Sequence, residues 1–149
     1  MAHPGRWTSL AITLLSTGML CIPWYVARTG QPQDSRSGIV VHVVDGDTLD
    51  VEGLGRVRLV GINAPEVGQP GYEEAKSFLT QLCLGEVVTV DVDDRHPRDR
   101  YGRVLAVIIV DGRNVNAELL NEGLAEILYI PPSEFDPWSW LEGGLGDGS

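Results

Sequence analysis

The stretch VVDGDTLDVEGLGRVRLVGINAPE, residues 43–66, sets acids, an arginine and an amide at the ends of short apolar runs. Asp45 and Asp47 flank one glycine. Two carboxylates that close repel each other unless a cation or a donor offsets their charge, and Asp47 offers a hard oxygen at a strand end. Asp-Gly is equally a common turn signal, so these residues alone leave a turn and a cation site both open. Arg58 lies in an alternating run, with Val57, Leu59 and Gly61 on one face and Arg58, Val60 and Ile62 on the other. A charge in so apolar a strand needs a partner. A structural salt bridge or a barrel-rim position would satisfy it, and so would a phosphate gripped by the guanidinium fork. In Asn63-Ala64-Pro65-Glu66, Pro65 holds Ala64 extended, which can aim the Ala64 carbonyl between two oxygen-bearing side chains. An ordinary proline loop is the plainer alternative.

The segment DDRHPRDRYGR, residues 93–103, holds Arg95, His96, Arg98, Arg100 and Arg103 around Tyr101. It is either a solvated hairpin tip or a phosphate-binding loop in which Tyr101 meets a base or sugar.

The elements that must carry these residues follow from hydrophobic period. Residues 39–44, interrupted only by His42, are apolar and β-branched and predict a buried strand. A turn at 45–47, a strand at 48–52, a tight connection at 53–55 and a strand at 57–62 continue a hairpin series. From Tyr72 the period changes: Tyr72, Ala75, Phe78, Leu79, Leu82 and Cys83 share one face of a helix over 72–83, opened by Pro70-Gly71 and closed by Gly85. Strands follow at 86–92 and 104–110, then a turn at Asp111-Gly112 and a helix over 114–122. Residues 124–130 fit either class, and 131–142 predict a short helical turn packed by aromatics. The order β-β-β-α-β-β-α predicts a mainly β (α+β) fold, a five-stranded OB-fold Greek-key barrel with two to three helices.

Composition bounds the rest. The chain has 149 residues, one domain by length, with 43% apolar residues, eighteen glycines and nine prolines, as a turn-rich β domain requires. Net charge is −10, which runs against a general nucleic-acid binder and requires any phosphate site to rest on local charge and a bound cation. Two cysteines, Cys21 and Cys83, form no disulfide framework. No charged residue occurs over 7–27, and Arg6 and Arg28 bracket the run, so 1–27 is expected to be a signal peptide or membrane anchor. Either places the domain outside the cytoplasm, secreted or membrane-anchored. The polar run 28–38 reads as a flexible linker, 39–142 as the folded domain and 143–149 as a disordered tail.

In order along the chain stand DGDT, R-L-x-x-I-x-A-P-E, a helix, D-x-Y-G-R and VDGRNVNAELLNEGLA. This series resembles the staphylococcal nuclease (thermonuclease) family. The resemblance implies an OB-fold, calcium-dependent phosphodiesterase that cuts DNA and RNA, single strands favoured, and leaves 3′-phosphates. It implies Asp47 as a metal ligand, the Ala64 position as a carbonyl ligand, and Arg58 and Arg103 as catalytic arginines. Glu66 would be the general base. Arg100 and Tyr101 would hold a terminal phosphate, and Tyr129 would line the base pocket. No obligate protein partner is implied. The chain departs from the pattern at Asn63, where a second aspartate ligand is expected, at Pro131, where a second tyrosine is expected, and in PPSEFDPWSWLEGG, which replaces a long basic helix. Weaker calcium binding follows from Asn63, because calcium affinity falls with ligand charge. A non-catalytic nucleic-acid- or protein-binding barrel, and a passive barrel whose arginines bridge its own acids, stand as the alternatives.

Overall fold

The computed structural model describes residues 35–142; the expectations for 1–34 and 143–149 lie outside them. Strand β1 (Ser35–Asp45) is long and serves two partners. Its first half pairs with β5 (Val87–Val92), its second with β2 (Thr48–Val51), and register shifts near Val40 and Val43 bend it between them. Residues 35–38, expected in the linker, are thus paired strand. Gly38 permits the bend: a Cβ there would lie 2.6 Å from Val51 Cγ1 and 2.8 Å from the Glu52 carbonyl oxygen.

β2 pairs with β3 (Gly55–Leu59), β5 with β6 (Val104–Val110), and β3 with β6 in parallel register, Arg58 opposite Leu105. The ring β1-β2-β3-β6-β5 closes a five-stranded barrel, and the two-residue β7 (Arg113–Asn114) extends β6. Closure removes the free sheet edges. Inward residues Val40, Leu49, Val57, Leu59, Val88, Val90 and Ile108 are fully buried. Each contributes about 1.5–3 kcal/mol relative to exposure.

The strand expected over 57–62 breaks. Gly61 takes φ 79°, and β4 (Gly61–Asn63) leaves the barrel to pair with β8 (Glu126–Leu128), the class-ambiguous segment. The expected alternation therefore fails after Leu59: Ile62 turns into the core instead of sharing the Arg58 face. Tight packing accompanies the break, since a Cβ on Gly61 would sit 3.0 Å from the Trp140 ring and 3.1 Å from Pro137. Asn116 braces it, accepting from Ile108 N–H and donating to the carbonyls of Val60 (2.8 Å) and Ala106 (3.2 Å).

Helix α1 (Tyr72–Cys83) starts after Gly71 and buries Ala75, Leu79 and Cys83 against the barrel. Burial pushes the Cys83 thiol up to about 12, so it packs as an inert hydrophobe. Helix α2 (Val115–Asn121) is capped by the Asn114 side chain, which accepts from Ala117 N–H at 3.0 Å. A 3₁₀ turn (Pro137–Trp140) ends the described chain, with Phe135 against Trp140 and Asp136 accepting from Trp138 N–H. Among the described residues no helix is long and apolar enough to cross a membrane.

Candidate active site

Asp47 stands at the head of β2, and the glycine before it has a packing role. A Cβ on Gly46 would lie 2.7 Å from both the Ala64 and Ala75 methyl carbons, so the turn is pressed between the β4 end and α1. That approach brings Ala64 N–H within 2.8 Å of Asp47 Oδ2. Thr48 Oγ donates to Asp47 Oδ1 at 3.1 Å, and Asp45 Oδ1 accepts from Asp47 N–H at 3.1 Å.

Register brings Arg58 to the same place, because Thr48 and Arg58 are cross-strand partners. Arg58 Nη2 lies 3.1 Å from Asp47 Oδ2 and donates to Asn63 Oδ1 at 3.2 Å. Its Nη1 donates to the carbonyls of Leu59 (2.5 Å) and Ile62 (2.9 Å), which flank the break at Gly61. The guanidinium is thereby fixed, and both partners of the Asp47–Arg58 pair are largely buried. Burial, the largest influence, raises the Asp47 carboxyl to about 6; Arg58 and the Ala64 amide pull it partway back, and Asp45 adds to the rise. Burial likewise lowers the Arg58 pKa; Asp47, Asp45 and Glu66 act against that, and the charge of Arg103 reinforces it. A guanidinium starts so high that it stays charged.

Arg103 approaches from the loop before β6. Asp99 organises that loop: Oδ2 accepts from Arg103 Nε at 2.7 Å, and Oδ1 accepts from Arg103 N–H (3.0 Å) and Tyr101 N–H (2.9 Å). Burial opposes ionisation of Asp99 most strongly, but the Arg103 guanidinium and the two amides together hold its carboxyl below the usual range. At the loop tip Arg100 donates to Tyr101 Oη at 2.5 Å, and the guanidiniums of Arg100 and Arg103 lie 4.7 and 5.4 Å from the Tyr101 ring centre. Glu66 is exposed. Its backbone N–H donates to Gln69 Oε1, its carbonyl accepts from Gln69 N–H, and among the described residues no hydrogen bond engages its carboxylate.

A cleft of about 430 Å³ runs between Arg58 and the Arg103 loop. Arg58, Arg103, Arg100, Tyr101 and His96 line it, together with the aliphatic Val60, Leu105, Leu128 and Ile130. Asn63 and Ala64 border a second opening of about 560 Å³ with Gln69 and Glu126. The structure thus sets Asp47 and Asn63 against Arg58 and Ala64 against Asp47, and it puts Arg58, Arg100, Tyr101 and Arg103 on one cleft; the exposed Glu66 lines neither opening. Tyr129 is not among the cleft residues: it faces Trp138, ring centres 5.5 Å apart, while its neighbours Leu128 and Ile130 line the cleft.

Two organisers escaped the reading of the sequence. One is Asp99, whose i,i+4 spacing to Arg103 was the available signal. The other is the fully buried Asp93, which accepts from Ser133 Oγ (2.5 Å), Arg95 N–H (3.0 Å), His96 N–H (3.2 Å) and Glu134 N–H (3.3 Å). It ties the arginine loop to the C-terminal segment, and nothing in its charged surroundings marks it as buried. Among the described residues no three His, Cys, Asp or Glu side chains converge on a metal position. The donors at Asp47, Asn63 and the Ala64 carbonyl are all hard oxygens, and Asp47 Oδ1 carries only the Thr48 hydroxyl. By donor chemistry they fit a hard divalent cation with a single formal ligand charge.

The fold is a closed five-stranded barrel of OB type that carries two arginines beside a buried aspartate. Residues 56–137 match the model of the staphylococcal nuclease homologue family, more than half the chain, and this chain belongs to that family. It is 36% identical over 106 residues to a thermonuclease of Staphylococcus intermedius, covering 66% of this chain and 63% of that protein. It is 32% identical over 117 residues to the endonuclease YncB of Bacillus subtilis (strain 168), covering 69% of this chain and 56% of that protein. An uncharacterized endonuclease of Escherichia coli is 40% identical over 92 residues, covering 59% of this chain and 58% of that protein. The chain therefore spans less than two thirds of the length of these relatives.

Proposed function

We propose that this chain is a calcium-dependent nuclease that hydrolyses phosphodiester bonds of single-stranded DNA and RNA and leaves 3′-phosphates. The observation that carries the reading is the pair of guanidiniums, Arg58 and Arg103, that meet one cleft beside the buried Asp47. Asp47, Asn63 and the Ala64 carbonyl are the groups that would hold calcium, which when bound supplies a Lewis acid for the phosphate and acidifies a water. The chain's own groups do the rest. Arg58, held rigid by its backbone acceptors, and Arg103, held by Asp99, present fixed positive charge to the phosphate. That charge counts for more as negative charge builds on five-coordinate phosphorus. Glu66, with an unengaged carboxylate, accepts the proton of the attacking water. The P–O5′ bond then breaks, and Arg103 stabilises the departing 5′-oxygen. An extracytoplasmic setting belongs to the same proposal, since calcium is more plentiful outside cells.

The test is cleavage of single-stranded DNA and RNA by the full chain in millimolar calcium, with EDTA and a Glu66→Ser, Arg103→Ala variant as controls. Calcium-dependent cleavage that the controls lack supports the reading. A folded chain that binds the strands and leaves them intact supports instead a binding module, the alternative that Asn63, with its missing ligand charge, favours.

A further inference from the structure

We propose that His96 is a substrate-binding residue of the cleft, its imidazole donating a hydrogen bond to the sugar-phosphate backbone of a bound single strand. This rests on the nucleic-acid reading of the cleft. His96 is half-buried and lines the same cleft as Arg58, Arg100, Tyr101 and Arg103. Its main chain is fixed, because its N–H is held by the fully buried Asp93 carboxylate, which also holds Arg95, Ser133 and Glu134. Its ring, in contrast, has no hydrogen-bond or ionic partner among the described residues, and no buried side-chain nitrogen or oxygen there lacks one. The ring nitrogens are therefore solvent-accessible, on a residue that lines the cleft.

The neighbouring cations are already engaged: Arg58 with Asp47, Asn63 and two carbonyls, Arg103 with Asp99, Arg100 with Tyr101 Oη. His96 is thus a polar group on a fixed backbone with both ring nitrogens unengaged, in the cleft that the arginines line. Either neutral tautomer offers one N–H donor, as a phosphate oxygen needs, and one acceptor. The bland reading, a solvated loop histidine, predicts that truncating the ring changes nothing. The loop geometry survives truncation, because Asp93 grips the backbone and not the ring.

The experiment compares the full chain with His96→Ala and His96→Gln. Binding of a labelled phosphorothioate oligothymidylate, which resists hydrolysis, is read by fluorescence anisotropy in millimolar calcium, and kcat and KM are read on the ordinary oligothymidylate. His96→Ala is expected to raise Kd and KM about three- to tenfold, the loss of one hydrogen bond, with kcat and thermal midpoint unchanged. His96→Gln, which keeps a neutral N–H donor, should recover most of the loss. Unchanged Kd and KM in His96→Ala would overturn the inference. A wild-type chain that binds without cleaving removes the nuclease reading, and the Kd comparison still decides His96. A wild-type chain that does neither removes both.

Discussion

Replacing Asp47 by asparagine should make the metal-free protein more stable at neutral pH, and the gain should vanish in acid. Burial raises the Asp47 carboxyl from 3.8 to about 6 in the folded chain. Between those values the folded state keeps a proton that the unfolded state has released. With more protons bound in the native state, stability falls as pH rises. The contribution is fully present below 3.8 and is lost as pH climbs through about 6. A displacement of roughly 2 units at about 1.4 kcal/mol each amounts to about 3 kcal/mol of penalty by pH 8. The neutral amide of Asp47→Asn escapes it. Its oxygen can keep the Arg58 and Ala64 donors, and its NH₂ can meet the Thr48 hydroxyl, which reverses to accept. Urea unfolding of wild type and Asp47→Asn from pH 4 to pH 8, in EDTA, isolates the group as a difference. The difference should grow by about 2.5 kcal/mol across the range and shrink again when millimolar calcium is added, because a cation favours the charged carboxylate. A difference flat with pH would refute the argument from burial.

Arg58→Ala should cost about 3–5 kcal/mol of stability by leaving Asp47 buried without its partner, seen in urea midpoints. Arg58→Lys keeps the charge and loses the fork, so kcat on oligothymidylate should fall by about 3 kcal/mol of barrier, roughly a hundredfold or more, with a smaller stability loss. Asn63→Asp restores a ligand charge and should tighten calcium binding about tenfold or more by calorimetry; unchanged affinity would remove Asn63 from the ligand set. Asp93→Ala strips Ser133, Glu134, Arg95 and His96 of a shared acceptor and should cost about 3 kcal/mol in urea unfolding. KM for single-stranded DNA should rise steeply with salt; a flat profile would contradict a phosphate-driven cleft.

The sequence carried local signals well and long-range ones poorly. Helix α1 was legible because its apolar period and flanking glycines are properties of adjacent residues. The barrel was legible as an order of strands, but the parallel β3–β6 pairing that closes it joins residues more than forty positions apart. The break at Gly61 was missed because the alternation of residues 57–62 looks continuous; what interrupts it is packing against Pro137 and Trp140. The outward turn of Tyr129 has the same origin, since Trp138 stands beside it only once the C-terminal segment folds back. Residues 35–38 read as linker because Ser, Arg and Gly carry no strand signal, and β5 supplies the pairing. Asp47, Arg58, Asn63 and Glu66 were legible as candidates through their joint order along the chain, each being weak alone. The supports behind them, Asp93, Asp99 and Asn116, were not: an acid or amide that holds backbone amides has the same letter as one in solvent.

The clamps on the arginines bear on the order of events. Every cleft guanidinium that is fixed is fixed by an electron-rich partner: Arg58 by Asp47 and carbonyls, Arg103 by Asp99. Such clamping removes orientational freedom in advance, which is what transition-state stabilisation needs. It also cancels much of the charge that would attract a phosphate. Asp45, Asp47, Glu66 and Asp99 stand against Arg58, Arg100 and Arg103, so the ionised, metal-free site is negative, inside a chain already at −10. A divalent cation offsets that charge. On the proposed function, then, the cation does more than activate water: it makes the cleft attractive to a strand at all. Oligonucleotide affinity should therefore rise with calcium along the same saturation curve that metal binding follows, and calcium affinity should rise reciprocally when the resistant phosphorothioate strand is present. Equal strand affinity in calcium and in EDTA would show that the arginines capture phosphate unaided and would separate binding from the Asp47 site.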